Sequence, residues 1–340
     1  MEVMNTPADI IEDSYAYIIV IYYGVAATAF YNLLSCIIRA LGDSKTPLIF
    51  LVFASFLNVA LDLLFIITFH MGVGGAAWAT VLSQGVSGLL CLGYAWRRFP
   101  LLRMEKRHWT FDWSYAWKHL RLALPMAMQF VITGTSVLVN QAVLNLFGSA
   151  AVAAFSAASK IHMLSEQVAV SFGTAMATYA GQNYGAGKAG RVREGLRKCA
   201  LACEAITLGI MVIMTAFGGV MSSWFIDGYH PEVIQQAHLY LFISALFYPA
   251  LTMLFLYRNT LLGLGNGVTP MLAGVCELLS RMIGAPVLGH FFGFTGLCWI
   301  NPIAWVTASG LLFLSYRKTM RNIRPVDPTV DASDPNKIMN

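Results

Sequence analysis

Nine apolar runs, each long enough to cross a bilayer, leave this chain few folds to choose from. A membrane-spanning helix needs about 20 consecutive apolar residues. Such runs occur at 15–38, 47–69, 75–96, 122–147, 150–177, 199–221, 236–258, 268–290 and 294–316. Most are bounded by Gly, Pro or charge, as helix ends are. The alternating segments of about ten residues that would mark a β-barrel are absent. Only 22 Lys+Arg and 17 Asp+Glu occur in 340 residues, against a hydrophobic fraction of 57%. A soluble core could not hide that much apolar surface. Six Cys at 36, 91, 199, 203, 276 and 298 lie in apolar stretches without CxxC spacing, which suits small buried hydrophobes. The fold class is an all-α polytopic membrane protein.

Positive charge orients the spans, because cytoplasmic loops concentrate Lys and Arg. With the N-terminus outside, one set of loops holds 20 of the 22 basic residues, Arg258 near a helix end among them. The opposite loops, around 70–74, 148–149, 222–235 and 291–293, hold none. Lys160 and Arg281 lie within spans. This puts the C-terminus in the cytoplasm, with the plasma (inner) membrane as the expected location. The division is an acidic extracellular stub at 1–14, a three-helix partial lobe at 15–96, and a cytoplasmic linker at 97–121. A six-helix lobe at 122–316 and a polar, disordered cytoplasmic tail at 317–340 complete it.

The chain repeats itself. Leu41-Gly42-Asp43-Ser44-Lys45-Thr46-Pro47 returns as Leu264-Gly265-Asn266-Gly267-Val268-Thr269-Pro270, 223 positions on (270 − 47). Gly75-Ala76-Ala77-Trp78 aligns with Gly296-Leu297-Cys298-Trp299 at a shift of 221 (296 − 75). Gly ends one helix and Pro opens the next in both copies. Helices one to three therefore correspond to helices seven to nine. The second set is preceded by three further spans and the first by none, so the expectation is a chain lacking the first three of twelve helices.

With these motifs in hand, the chain resembles the multidrug and toxic compound extrusion family over residues 14–320. The resemblance rests on Arg39-Ala40-Leu41-Gly42-Asp43 with Thr46-Pro47, Asn58-Val59-Ala60-Leu61-Asp62, Gly181-Gln182-Asn183-Tyr184-Gly185-Ala186-Gly187, and Gly263-Leu264-Gly265 with Pro270. It implies two six-helix lobes, of which this chain holds helices four to twelve.

An ionised group inside a bilayer costs about 2.5–3.5 kcal/mol on insertion scales, so each one needs a reason. Asp62 lies in mid-span with Asn58 one turn earlier on the same face. A carboxylate beside an amide suits a hard cation such as Na⁺ or a proton; a structural hydrogen bond between the two is the other reading. The resemblance adds Thr80 on the following helix as the third member of a coupling site. It also implies a first-helix Asp for which this chain has no counterpart. Glu277 and Arg281, at (i, i+4), suit a structural ion pair. Lys160 and Glu166 either pair with other helices or line a cavity. Gln129, Asn140 and Gln141 offer polar contacts to a substrate, and Met128, Met163, Phe247 and Tyr248 offer soft or aromatic surface.

The run Gly181–Lys188 lacks Walker spacing, with Gln182 and Ala189 where Gly and Ser/Thr belong, which argues against an ATPase. The expected activity is antiport of organic, often cationic, compounds against Na⁺ or H⁺ by alternating access. The alternatives are a flippase for lipid-linked oligosaccharides or polysaccharides, or an incomplete product without activity. The seven His are scattered singly, which disfavours a membrane-embedded enzyme. No cofactor is expected beyond the coupling ion, and no metal beyond Na⁺ at Asn58 and Asp62. The expected partners are small organic substrates and membrane lipids, with neither nucleic acid nor ATP.

Overall fold

The computed structural model describes residues 11–103, 110–226, 228 and 230–323, which form nine α-helices and no strand. They divide into two compact units, Met1–Phe111 and Asp112–Asn340. The first holds α1 (Ile11–Ala40), α2 (Lys45–Leu63), one turn of π-helix (Leu64–Thr68) and α3 (Gly72–Arg98). The second holds α4 (Trp113–Asn145), α5 (Gly148–Gly185), α6 (Ala189–Ser223), α7 (Pro231–Leu246), α8 (Tyr248–Gly263) and α9 (Val268–Asn322).

Six of these helices are long and apolar enough to cross a membrane, or seven if α7 and α8, bent by 53°, form one span. The remaining difference from nine has two physical causes. The 55 residues of α9 contain two expected spans, broken at Gly293 (φ 59°, ψ −143°). That backbone conformation is essentially confined to glycine. Helix α5 carries Lys160 and Glu166 among many Ala, Gly and Ser, which lowers its hydropathy.

Several boundaries move. Helix α4 starts at Trp113, inside the expected 97–121 linker, because the Asp112 carboxylate caps it by accepting from Ser114 N at 2.8 Å. Residues 104–109 of that linker lie outside the described residues. The tail expected to be disordered from 317 remains helical to Asn322, since Tyr316 and Met320 are buried in the core of the second unit. The acidic stub enters helix at Ile11, with Glu12 and Asp13 in the first turn, where the helix dipole favours them. Residues 1–10 and 324–340 lie outside the described residues.

Helices pack where small residues let backbones approach, as expected for association in lipid. In the first unit α1 lies along α3, and a Cβ on Gly24 would stand 2.1 Å from Val81 Cγ2. Tyr31, Leu34, Ile38, Cys91 and Ala95 close the core between them. In the second unit α5 presents the buried Ala154, Ala157, Ala158, Ala169 and Ala180 to its neighbours. All six cysteines are free.

The two repeat turns share one geometry. Gly42 (φ 98°) and Gly265 (φ 81°) end α1 and α8 in the left-handed region. Asp43 N reaches back to Ile38 O at 3.2 Å, and Asn266 N to Leu261 O at 2.9 Å, the long bond of a Schellman cap. The side chains that follow also match. Asp43 Oδ1 accepts from Thr46 N at 3.1 Å, and Asn266 Oδ1 from Thr269 N at 3.1 Å. Each turn is then tied to the third helix of its own set. Tyr94 OH donates to Asp43 Oδ2 at 2.7 Å, and Thr269 Oγ1 meets Ser315 Oγ at 3.0 Å. Outside the apolar spans, Asp43 is held as a carboxylate, at about 2. Its largest cause is the Thr46 hydroxyl, followed by that of Tyr94.

Candidate functional site

The repeat turn starts α2 and so sets which residues its inner face presents. Pro47 and Ala54 are buried; Asn58 and Asp62 follow on the same face, each half-buried. Asn58 Nδ2 and Asp62 Oδ1 are shielded from solvent, and neither has a hydrogen-bond partner. The structural hydrogen bond between those two atoms is therefore not made. A buried polar atom left unpaired costs about 1–3 kcal/mol, so two of them one turn apart make this face a candidate binding site. An amide can turn over to present oxygen in place of nitrogen, which gives a cation two oxygen types here.

The backbone is irregular just beyond. After Asp62, α2 passes into the π-turn Leu64–Thr68, closed by Phe69 N to Leu64 O at 3.1 Å. Such turns are rare and occur often at functional sites. Gly75 follows Pro47 by 28 positions (75 − 47) and Gly296 follows Pro270 by 26 (296 − 270), so the first repeat is two residues longer there. This π-turn lies in that interval. Thr80 sits on α3, which packs against α2, and its hydroxyl donates to Ala76 O at 3.0 Å within its own helix.

The second unit has a different centre. The buried Glu277 carboxylate is hydrogen-bonded by the Arg258 guanidinium, while Arg281 Nη2 stands 3.8 Å from its other oxygen. The ion pair expected between Glu277 and Arg281 is thus present but is the looser of two. Arg258, counted from the sequence among the cytoplasmic basic residues near a helix end, is a correction. It is 7% exposed on α8 and neutralises Glu277. Arg281 spends its other donors on Ser136 Oγ at 2.7 Å and Asn301 Oδ1 at 3.1 Å, and Asn301 Nδ2 donates to Tyr240 OH at 3.0 Å.

Of the residues proposed to meet a substrate, Tyr248 and Glu166 share His162 as a neighbour. His162 Nδ1 is 2.8 Å from Tyr248 OH, and its Nε2 is 3.9 Å from Glu166 Oε2. Trp305 stacks on the imidazole, centroids 5.4 Å apart. Lys160 is exposed, with its ammonium over the Phe225 ring at 5.2 Å. Met163 is exposed, and Gln129 is buried on α4, where a Cβ on Gly274 of α9 would touch its Cγ at 3.4 Å. Gln141 is occupied by Asn145 at 2.9 Å, and Asn140 is half-buried on the same helix. Sequence reasoning missed Ser136, His162, Arg258 and Asn301. Arg258 alone carried a legible signal, as a charge flanked by the apolar Phe255-Leu256-Tyr257.

These arrangements are set in a known family. The MatE family profile matches residues 1–64 and 125–287, more than half of the chain. A probable multidrug resistance protein of Bacillus subtilis, YpnP, is 32% identical over 319 residues, covering 92% of this chain and 68% of that one. A probable multidrug resistance protein of Thermotoga maritima, NorM, is 27% identical over 322 residues, with 92% and 68% covered. The "FAD transporter" of Shewanella oneidensis is 23% identical over 275 residues, with 78% and 60% covered. Among solved structures, a MATE protein in the bent conformation superposes with a TM-score of 0.85 at 21% identity, over 95% of this chain and 72% of that one. The bent form of the Vibrio cholerae transporter VcmN gives 0.83 at 21% identity, over 95% and 73%. Fold, apolar helices and family profile agree: the chain belongs to the MatE, or multidrug and toxic compound extrusion, family of multi-pass membrane transporters and is not an enzyme.

Proposed function

We propose that the chain exports organic cations or toxic metabolites in exchange for Na⁺ or H⁺, with the coupling cation held at Asn58, Asp62 and Thr80. The observation that carries this reading is the pair of unpartnered buried atoms, Asn58 Nδ2 and Asp62 Oδ1, one turn apart on the buried face of α2. A bare carboxylate in an apolar helix is costly, and a bound cation or proton removes that cost. Alternate occupation of the site by ion and exclusion of substrate is how a single carboxylate couples the two flows. The names of the relatives support drug export. The turns bearing Arg39 and Lys45, and Lys188 to Lys198, face the cytoplasm in this reading, at the plasma membrane.

The test is dye efflux from cells expressing the chain, and uptake into proteoliposomes driven by either a Na⁺ or a proton gradient. Asp62→Asn removes the charge and keeps the shape, and is expected to lower gradient-driven transport at least tenfold. Unchanged transport in that variant overturns the reading. Whichever gradient drives the wild type identifies the ion.

A further inference from the structure

The repeat extends further than its two sequence landmarks. Gly72 (φ 57°) and Gly293 (φ 59°), 221 positions apart, open the third helix of each set with matching positive φ. At the same shift, buried Ala77, Ala79, Ser83, Ser87 and Cys91 on α3 correspond to buried Cys298, Ile300, Ala304, Ala308 and Leu312 on α9. Ahead of the π-turn the shift is 223, and buried Pro47 and Ala54 correspond to buried Pro270 and Glu277. Burial coincides at these seven positions, which supports the register set by the turns, while buried Gly274 corresponds to the exposed Leu51.

In that register Asn58 corresponds to Arg281 (281 − 58 = 223), and Thr80 corresponds to Asn301 (301 − 80 = 221). Arg281 and Asn301 touch, with Nε 3.1 Å from Oδ1. The remaining charges also pair off. Arg258 and Glu277 stand where the first unit has Ser35 and Ala54, so this buried pair adds no net charge to the second unit. Asp62 corresponds to Ala285, which is buried with no charge. The first unit thus has an uncompensated carboxylate and an amide with a free donor. The second has a covalently supplied positive charge, coordinated by Ser136, Asn301 and, at 3.8 Å, Glu277. The carboxylate has moved from one turn after the shared position (Asp62) to one turn before it (Glu277).

We propose that Arg281 is a resident counterpart of the exchangeable cation: at the repeat position of Asn58, its guanidinium meets Asn301, the counterpart of Thr80, where the first unit would hold the ion. The repeats have then specialised, one for an ion that comes and goes and the other for a fixed charge, so coupling runs through the first unit alone. This rests on the reading of Asp62 as a cation site.

The test transplants the resident charge. Thermal unfolding of the full chain in detergent is followed in sodium chloride and in choline chloride at equal ionic strength, and at two pH values. The wild type is expected to melt higher with Na⁺ or with acid. N58R places a guanidinium one turn from Asp62 and within the repeat register of Thr80. It is expected to melt about 3 °C or more above the length control N58M and to lose the response to Na⁺ and pH. Adding Asp62→Asn to N58R is expected to abolish that gain, as coupled neighbours do. If N58R melts no higher than N58M, or its gain survives Asp62→Asn, the proposal is overturned. A wild type indifferent to both cations sinks the cation reading of Asp62, while the comparison of Arg with Met at position 58 still decides whether that place accepts a guanidinium. In a second arm, Arg281→Ala is expected to melt lower and to recover with free methylguanidinium more than with methylammonium. Equal or absent recovery overturns the proposal.

Discussion

At the scale of single residues, unpaired charge decides which positions matter. Glu277 is buried between two guanidinium groups, and removing its charge strands both in an apolar core. Breaking a buried pair from one side typically costs about 3–5 kcal/mol. Glu277→Gln is therefore expected to lower the melting temperature by about 6 °C or more, and replacing Arg258 by Met in the same chain is expected to return part of it. Asp43 is different, because it works through hydrogen bonds at the end of a helix. Its carboxylate titrates at about 2, below the unfolded value near 4, so the stability it contributes is fully present above pH ~4. That contribution is lost as the pH falls through 2. Asp43→Asn is expected to remove this acid dependence and to cost about 1–2 kcal/mol at neutral pH, read from unfolding at a series of pH values.

At the scale of helices, breaks are as informative as spans. Gly293 holds a backbone conformation that a side chain strains, and a Cβ on Gly296 would lie 2.0 Å from Leu288 O. Backbone cannot move aside as a flexible side chain can. Gly296→Ala is expected to be more damaging than Gly293→Ala, which should cost about 1–3 kcal/mol; both are read from unfolding in detergent. The first repeat handles the same corner differently, with a π-turn that takes up part of its two extra residues directly after Asp62. That insertion sets irregular backbone close to the Asp62 carboxylate, where a regular helix would bond every amide to itself. The bend of 53° between α7 and α8 falls at Phe247, one residue before Tyr248, which carries the hydroxyl facing His162.

At the scale of the whole molecule, charge asymmetry makes a topological prediction. Setting Arg258 aside as an interior residue, 19 of the original 20 basic residues remain on the side read as cytoplasmic. Ser44→Cys and Gly187→Cys, in a background with the six native cysteines replaced, are expected to react with a membrane-impermeant maleimide only in inverted vesicles. Gly228→Cys should react only in intact cells. Labelling from the same side at all three would overturn the orientation. The two copies of the repeat also show how one scaffold carries two electrostatic designs. Turn geometry and part of the buried faces are kept, because packing tolerates little change, while four of the five compared positions carry a charge in only one copy.

The sequence by itself determined the membrane-spanning class, most span positions and the repeat. Each depends on local rules: a bilayer demands a fixed length of apolar helix, and a turn between two helices demands Gly and Pro at set places. Asn58 and Asp62 were legible for the same reason, being polar residues one turn apart inside an apolar run. Only the tertiary structure decided the partners. Successive residues on a helix point about 100° apart, so whether Arg258 faces water or Glu277 depends on how α8 is rotated against α9. That rotation is set by packing between residues distant in the chain, as are the break at Gly293 and the contact of Arg281 with Asn301. The sequence shows that charges lie within the membrane; packing alone shows which of them are already paired and which have no partner.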